Sequence, residues 1–263
     1  RTLAVHSVAV ITDFGYDWKQ GNIAKTTHPF QATIGYGDHR ITTRVAESFF
    51  NTYFFGTLHE AGHAMHGQGT AERFKRTPLY NIASLAIGES QSRMWENLIG
   101  RSRPFWQHYF PKLQKVFPVQ LKKVTAEDFY KAVNKVAPSF SRVEADEATY
   151  NMHIMLRLEL EMAMMEGEAE VRKLPMYWNE MVHKYLGITP KNDKEGVLQD
   201  VHWSFGLMGY FSTYALGNLV SAQLWEVIER DMPDIETKVS NAEFAPLLTW
   251  LNKNVHEPGA KYE

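Results

Sequence analysis

The chain has no cysteine among its 263 residues. That excludes a disulfide scaffold, a thiol nucleophile and any cysteine-ligated metal centre. A bound metal would have to be held by His, Asp or Glu. No apolar run approaches the roughly 18 residues that a membrane span needs, so no membrane partner is expected. An excess of one charge sign is missing too. The 28 Lys+Arg against 30 Asp+Glu leave a formal net charge of −2, which gives no whole-chain attraction to nucleic acid. Repeats, low-complexity tracts and long Pro/Gly/Ser linkers are absent, and one unit over residues 1–263 is the expected organisation. The first residues, Arg1-Thr2-Leu3, carry neither an initiator Met nor a basic-then-apolar leader. They read as a processed or truncated start, with the cytoplasm as the expected compartment. Against these absences stands a 44% hydrophobic content, ample for a sizeable core.

Hydrophobic spacing makes the chain mainly α. Residues 3–14 are apolar, and periodicity alone does not separate helix from strand there. Residues 15–30 read as loop, and 31–43 as a short hairpin around Gly35-Tyr36-Gly37-Asp38. Helices are expected over 47–66, 82–100, 104–117, 125–136, 143–166, 175–185, 207–230 and 242–254. Gly67 and Gly69 suit the end of the first, Thr125 an N-cap, and Gly187 the end of another.

The sharpest feature is His59-Glu60-Ala61-Gly62-His63, an H-E-x-x-H run within an expected helix. Four residues advance a helix by about 400°, so His59 and His63 lie one above the other and can bind a single ion. Glu60 lies beside that face, where a carboxylate can take a proton from a metal-activated water. A tetrahedral catalytic ion needs a third protein donor and one open position. No histidine follows at the metzincin spacing, since Gly69 is followed by Thr70 and Ala71. Glu89 is the leading candidate, an acid in a helix that otherwise offers Leu85, Ile87, Met94, Trp95 and Leu98. The alternative for Glu89 is an exposed pair with Arg93 at i,i+4. Glu96 and Glu72 are weaker candidates for the third donor. Zinc, cobalt and manganese all suit such a donor set.

Six ordered strings extend the signal. They are His28-Pro29-Phe30, Asp38-His39-Arg40-Ile41-Thr42, the H-E-x-x-H run, Glu89-Ser90-Gln91, Arg142-Val143-Glu144-Ala145-Asp146, and Gly196-Val197-Leu198-Gln199-Asp200-Val201-His202-Trp203. In this order the chain resembles the carboxypeptidase Taq family of thermostable metallocarboxypeptidases, from about Phe14 to Asn254.

The resemblance implies a helical zincin-type fold with a deep groove, one divalent ion (zinc, with cobalt or manganese as alternatives), and release of single residues from peptides with a free C-terminus. It implies a homodimer. His59 and His63 match the family's histidine ligands, Glu89 its glutamate ligand and Glu60 its general base. Arg142 matches the arginine that holds the substrate's terminal carboxylate, a role that suits a guanidinium fork. His202 and Tyr210 are groove-lining candidates whose alternative is core packing beside Trp203 and Phe211. His28 and Arg40 are placed at the site as substrate-binding candidates. The chain departs from the family pattern at Gly88, Ser141, Phe205 and Ser212. It is also short for the family, and reads as a C-terminal half, the groove-lining half of a larger helical fold, without the last segment.

Two other functions fit the same motif. An H-E-x-x-H helix with a downstream Glu also serves dipeptidases, aminopeptidases and oligopeptidases. A metal-binding helical module without turnover is the non-enzymatic alternative.

Overall fold

The computed structural model describes residues 2–45 and 49–262. It is mainly helical, with one small sheet. The described chain divides into two compact units. The first comprises residues up to Val133 and from Gly217 onward; the second is Asn134–Leu216.

In the first unit, helix α1 (Thr2–Phe14) settles the ambiguity of the opening apolar stretch. His6, Ser7, Val10, Ile11 and Phe14 are buried, a stripe at helical rather than alternating spacing. The expected hairpin forms from β2 (Gln31–Gly35) and β3 (Asp38–Thr43), with Thr33 opposite His39 and Gln31 opposite Ile41. A strand inside the expected loop, β1 (Ile23–Lys25), pairs in parallel with β3 and completes a sheet of order β1-β3-β2. At three residues, β1 is too short to register as an alternating pattern.

Helix α2 (Phe50–Gly69) carries the H-E-x-x-H run. The expected start of this helix, Glu47, lies outside the described residues. Its end falls where the glycines stand, but for a different reason. Neither Gly67 nor Gly69 has a positive φ. A side chain at Gly67 would collide with the His39 ring, and one at Gly69 with Asn252 and His256. These glycines admit close neighbours rather than a left-handed cap.

The next helix is α3 (Leu85–Arg93), capped by the Ser84 hydroxyl on the Ile87 amide at 3.2 Å. It continues through a π-helical turn, Met94–Ile99, which hydrophobic spacing does not reveal. Helix α4 (Arg103–Val116) opens with Pro104 in its first turn. Helix α5 (Ala126–Val133) is opened by a reciprocal pair, in which Thr125 Oγ1 accepts from the Asp128 amide at 3.1 Å and Asp128 accepts from the Thr125 amide at 3.1 Å.

In the second unit, α6 (Glu147–Met165) starts four residues later than expected. Asp146 Oδ1 caps it by accepting from the Thr149 amide at 2.9 Å, so the preceding Arg142–Ala145 stretch is not helical. Helix α7 (Leu174–Leu186) ends at Gly187, φ +69°, as the sequence indicates. Leu156, Leu160, Trp178 and Val182 form the core between these two helices.

Helix α8 (Ser212–Asp231) runs from the second unit back into the first. Helix α9 (Ile235–Ser240) was not expected, being too short to display periodicity. Helix α10 (Ala245–Leu251) passes into a second π-helical turn, Asn252–His256. No helix among the described residues is long and apolar enough to cross a membrane.

The core of the first unit is aromatic. Phe14, Phe54, Phe55, Trp95, Phe105, Trp106 and Phe244 are all at most 1% exposed. Phe54, on α2, has its ring 5.5 Å from Trp106 and 5.4 Å from Phe55. Its contacts set the inner face of the helix that presents the histidines on its other side. Phe54→Ala is expected to cost about 3–5 kcal/mol through the cavity it leaves. Urea unfolding measures this, and a loss under 1 kcal/mol would contradict the packing described.

Candidate metal centre

His59 and His63 sit one turn apart on α2, their ring centroids 4.9 Å apart. Glu89 reaches both from α3. Its Oε2 lies 3.5 Å from His59 Nε2 and 3.6 Å from His63 Nε2. One donor atom from each of the three residues lies within 4.8 Å of the others. This approach depends on Gly62. A Cβ there would stand 2.8 Å from both the Gln91 carbonyl oxygen and the Ser92 Cα, backbone atoms of α3 that cannot step aside. The missing side chain therefore makes room for the neighbouring helix.

The donor set fits a divalent ion. Tetrahedral coordination with bonds of about 2.0–2.1 Å separates neighbouring donors by about 3.4 Å, close to what the carboxylate presents to each ring. Two imidazoles and one carboxylate also leave one of four positions to a small molecule.

The charges favour the same reading at His63 and Glu89, whereas at His59 burial is outweighed by Glu96, Glu89 and Glu60, which raise its pKa above the usual value. Burial draws the His63 pKa down to about 4, so its ring is neutral near pH 7 and offers a lone pair. Burial opposes the charge of Glu89, yet His63, His59, Arg93 and the Ser92 hydroxyl outweigh it and hold the carboxyl below its usual range. Ser92 Oγ donates to Glu89 Oε2 at 3.0 Å. The expected alternative for Glu89, an exposed pair with Arg93, is not what forms. Glu89 is buried, and Arg93 Nη1 donates instead to Glu96 Oε2 at 3.1 Å. Glu60 is buried beside the triad, and burial, reinforced by Glu89 and Glu96, raises its pKa to about 7.

Of the weaker candidates, Glu72 is exposed. Glu96 is partly buried and faces the other nitrogen of His59, with Oε2 2.8 Å from Nδ1. Gly88, where the sequence departs from the family pattern, immediately precedes Glu89, and a Cβ there would stand 2.9 Å from Ile82 Cδ1.

The remaining sequence candidates fall into two places. His28 is exposed, its Nδ1 2.8 Å from the Pro29 carbonyl oxygen. Arg40 is also exposed and is held bidentately by Asp38, at 2.8 and 2.7 Å. Neither belongs to the cluster around the triad. Between them in the motif, His39 is fully buried, packed against α2 at Gly67 and 3.2 Å from the Tyr80 hydroxyl.

Arg142, His202 and Tyr210 come together in the second unit. Arg142 donates through Nε and Nη2 to Asp200 Oδ1, at 3.0 and 2.8 Å, and through Nη1 to the Tyr150 hydroxyl at 3.0 Å. Arg157, fully buried, donates through Nε to Asp200 Oδ2 at 2.7 Å. His202 Nε2 lies 3.2 Å from the Tyr214 hydroxyl, and its ring is 4.4 Å from Phe211 and 5.2 Å from Tyr210. Gln199 and Asp200, in the G-x-x-Q-D-x-H-W string, take a role here that spacing alone does not reveal. Gln199 accepts from the Arg142 amide at 3.0 Å and donates to the Phe140 carbonyl at 2.7 Å, so both fasten the arginine. Their adjacency in the Q-D pair was the available signal.

With this geometry in view, comparison with known proteins is informative. Residues 2–263 match the profile of the carboxypeptidase Taq (M32) metallopeptidases. The chain belongs to that family. It is 48% identical over 256 residues to thermostable carboxypeptidase 1 of Thermus thermophilus, covering 97% of this chain and 50% of that protein. It is 45% identical to carboxypeptidase 1 of Bacillus subtilis, covering 97% and 51%. The crystal structure of the M32 carboxypeptidase from Deinococcus radiodurans R1 matches with a TM-score of 0.96 at 43% identity, covering 99% of this chain and 53% of that one. The chain thus spans about half the length of the family members it matches.

Two predictions follow from the close approach and the buried charges. Gly62→Ala is expected to push α3 away, lowering stability by about 1–3 kcal/mol and weakening metal retention. Unfolding and metal titration measure the two effects, and a variant equal to the native protein in both would contradict the proposed role of Gly62.

The second concerns acid. Burial would raise the Asp200 pKa, but Arg142 and Arg157 outweigh it and hold it near 2. Burial, aided by Arg157 and Arg142, lowers His153 to about 3. For both groups the unfolded state takes up its proton at a higher pH than the folded state. Their stabilisation is complete above the ordinary values, about 6.5 for His and 3.9 for Asp, and is lost as pH falls toward 3 and 2. Unfolding free energy should therefore decline steadily below pH 6.5, and a flat profile down to pH 3 would contradict this.

Proposed function

We propose that this chain carries the catalytic centre of a metal-dependent carboxypeptidase that removes single C-terminal residues from peptides. The observation that carries the reading is the convergence of His59, His63 and Glu89 with an acid, Glu60, buried next to them. Family membership supports the chemical class.

In this reading His59 and His63, through Nε2, and Glu89, through its carboxylate, hold one divalent ion, with zinc the leading choice and cobalt or manganese alternatives. The ion supplies Lewis acidity to the scissile carbonyl and to a water molecule. Glu60 acts as general base. With its pKa raised to about 7, it can accept a proton from water and return it to the leaving amine at neutral pH. Glu60 makes no hydrogen bond to other described residues, which leaves both carboxylate oxygens for those transfers.

Exo-specificity is assigned to Arg142, which would hold the terminal carboxylate of the substrate. What supports it is a guanidinium fixed by Asp200 and Tyr150, with its charge retained despite burial. His202 and Tyr210, gathered near the same arginine, are proposed as supporting groups. A role for His28 and Arg40 rests on their motifs alone. A homodimer is also part of the proposal, resting on the resemblance alone.

The test pairs metal content with hydrolysis of an N-blocked dipeptide, offered as the free acid and as the C-terminal amide. The native protein is expected to hold one ion and cut only the acid. Glu60→Gln should keep the ion and lose turnover by at least about 100-fold. Full activity in Glu60→Gln would overturn the mechanism. Equal cleavage of acid and amide would replace the carboxypeptidase reading with an endopeptidase one. Metal without turnover would favour an inactive binding module.

A further inference from the structure

One partly buried carboxylate near the triad has no part in the reaction just described. Glu96 follows Glu89 by seven residues, about two turns further along the same continuous helical stretch. The two acids accordingly reach opposite edges of one ring. Glu89 Oε2 is 3.5 Å from His59 Nε2, and Glu96 Oε2 is 2.8 Å from His59 Nδ1. A neutral imidazole carries one N–H and one lone pair. A carboxylate at Nδ1 fixes the proton there and leaves the lone pair on Nε2, facing Glu89.

Glu96 is itself restrained. Arg93 Nη1 donates to its Oε2 at 3.1 Å, and Arg101 Nη2 lies 3.8 Å from its Oε1. Arg101 is anchored in turn. Its Nη1 donates to the Val133 carbonyl at 2.7 Å, its Nε to Asn97 Oδ1 at 3.2 Å, and its guanidinium lies 3.8 Å over the Phe55 ring. The backbone that places Glu96 is the π-helical turn Met94–Ile99, an uncommon geometry that tends to occur at functional sites.

We infer that Glu96 is a positioning residue for the metal centre: it accepts a hydrogen bond from the Nδ1–H of His59, sets the ring's tautomer and orientation, and is held for that task by Arg93 and Arg101. The inference rests on the reading of His59, His63 and Glu89 as ligands. The competing role is structural, with Glu96 present only to neutralise two arginines.

Metal affinity separates these roles. Zinc competition against a chromophoric chelator, and the visible spectrum of the cobalt-loaded protein, are measured for the native chain, Glu96→Gln and Glu96→Ala. Thermal unfolding of the metal-free forms is followed in parallel. Glu96→Ala is expected to bind zinc about 10–100-fold more weakly and to shift the cobalt bands. Glu96→Gln keeps an acceptor oxygen for Nδ1 and should fall between the two. A purely structural role lowers the melting temperature while leaving zinc affinity and the cobalt spectrum at native values in both variants, and that result would overturn the inference. If the alanine variant does not fold, native affinity and native spectrum in Glu96→Gln are sufficient to overturn it. Failure of the native chain to bind zinc would overturn the ligand reading and this inference together, whereas native binding with unaltered variants removes only the role of Glu96.

Discussion

The site depends on how closely α3 approaches α2 at Gly62. The two histidines are neighbours by helical geometry alone, but a third donor must come from elsewhere in the chain. It arrives because the backbone at Gln91 and Ser92 rests where any larger residue at 62 would have a side chain. That contact fixes the separation between the helices, and Glu89 spans it. The surrounding aromatic core packs against both helices, with Phe54 on the side of α2 away from the histidines and Trp95 on the continuation of α3.

Burying this much charge is costly unless each group has a partner. The polar segment Glu89–Arg93 is buried along its whole length and is satisfied from several directions. Ser92 donates to Glu89, Arg93 to Glu96, and Gln91 Oε1 lies 2.8 Å from His256 Nε2 in the C-terminal π-helical turn. The second unit solves the same problem differently. There two buried arginines share Asp200, and the loop holding Arg142 is tied to Gln199. In each unit a motif that looks like a catalytic signature also holds together elements distant in sequence.

Much of this was legible in the residues. The i,i+4 histidines, the adjacent acid and the helical class follow from periodicity and spacing, and Thr125, Asp128 and Gly187 mark helix ends by local chemistry. The same rules failed where the cause was tertiary. Gly67 and Gly69 were read as helix stops, whereas they make room for His39 and His256. The π-helical turns and the short α9 carry no periodic signal. Glu89 is legible in the sequence as a candidate third donor, but its approach to both histidines depends on a contact between helices that no local pattern encodes. Hydrophobic spacing is also blind to a buried polar stretch such as Glu89–Arg93, because partners, not apolarity, make its burial affordable.

X-ray absorption at the zinc edge tests the central claim most directly. The account predicts one ion per chain, with two imidazole nitrogens at about 2.0–2.1 Å, a carboxylate oxygen at a similar distance and a further light atom. His59→Ala, His63→Ala and Glu89→Ala should each remove one of those scatterers or the ion altogether. A spectrum without imidazole scattering, or one unaltered by all three substitutions, would contradict it.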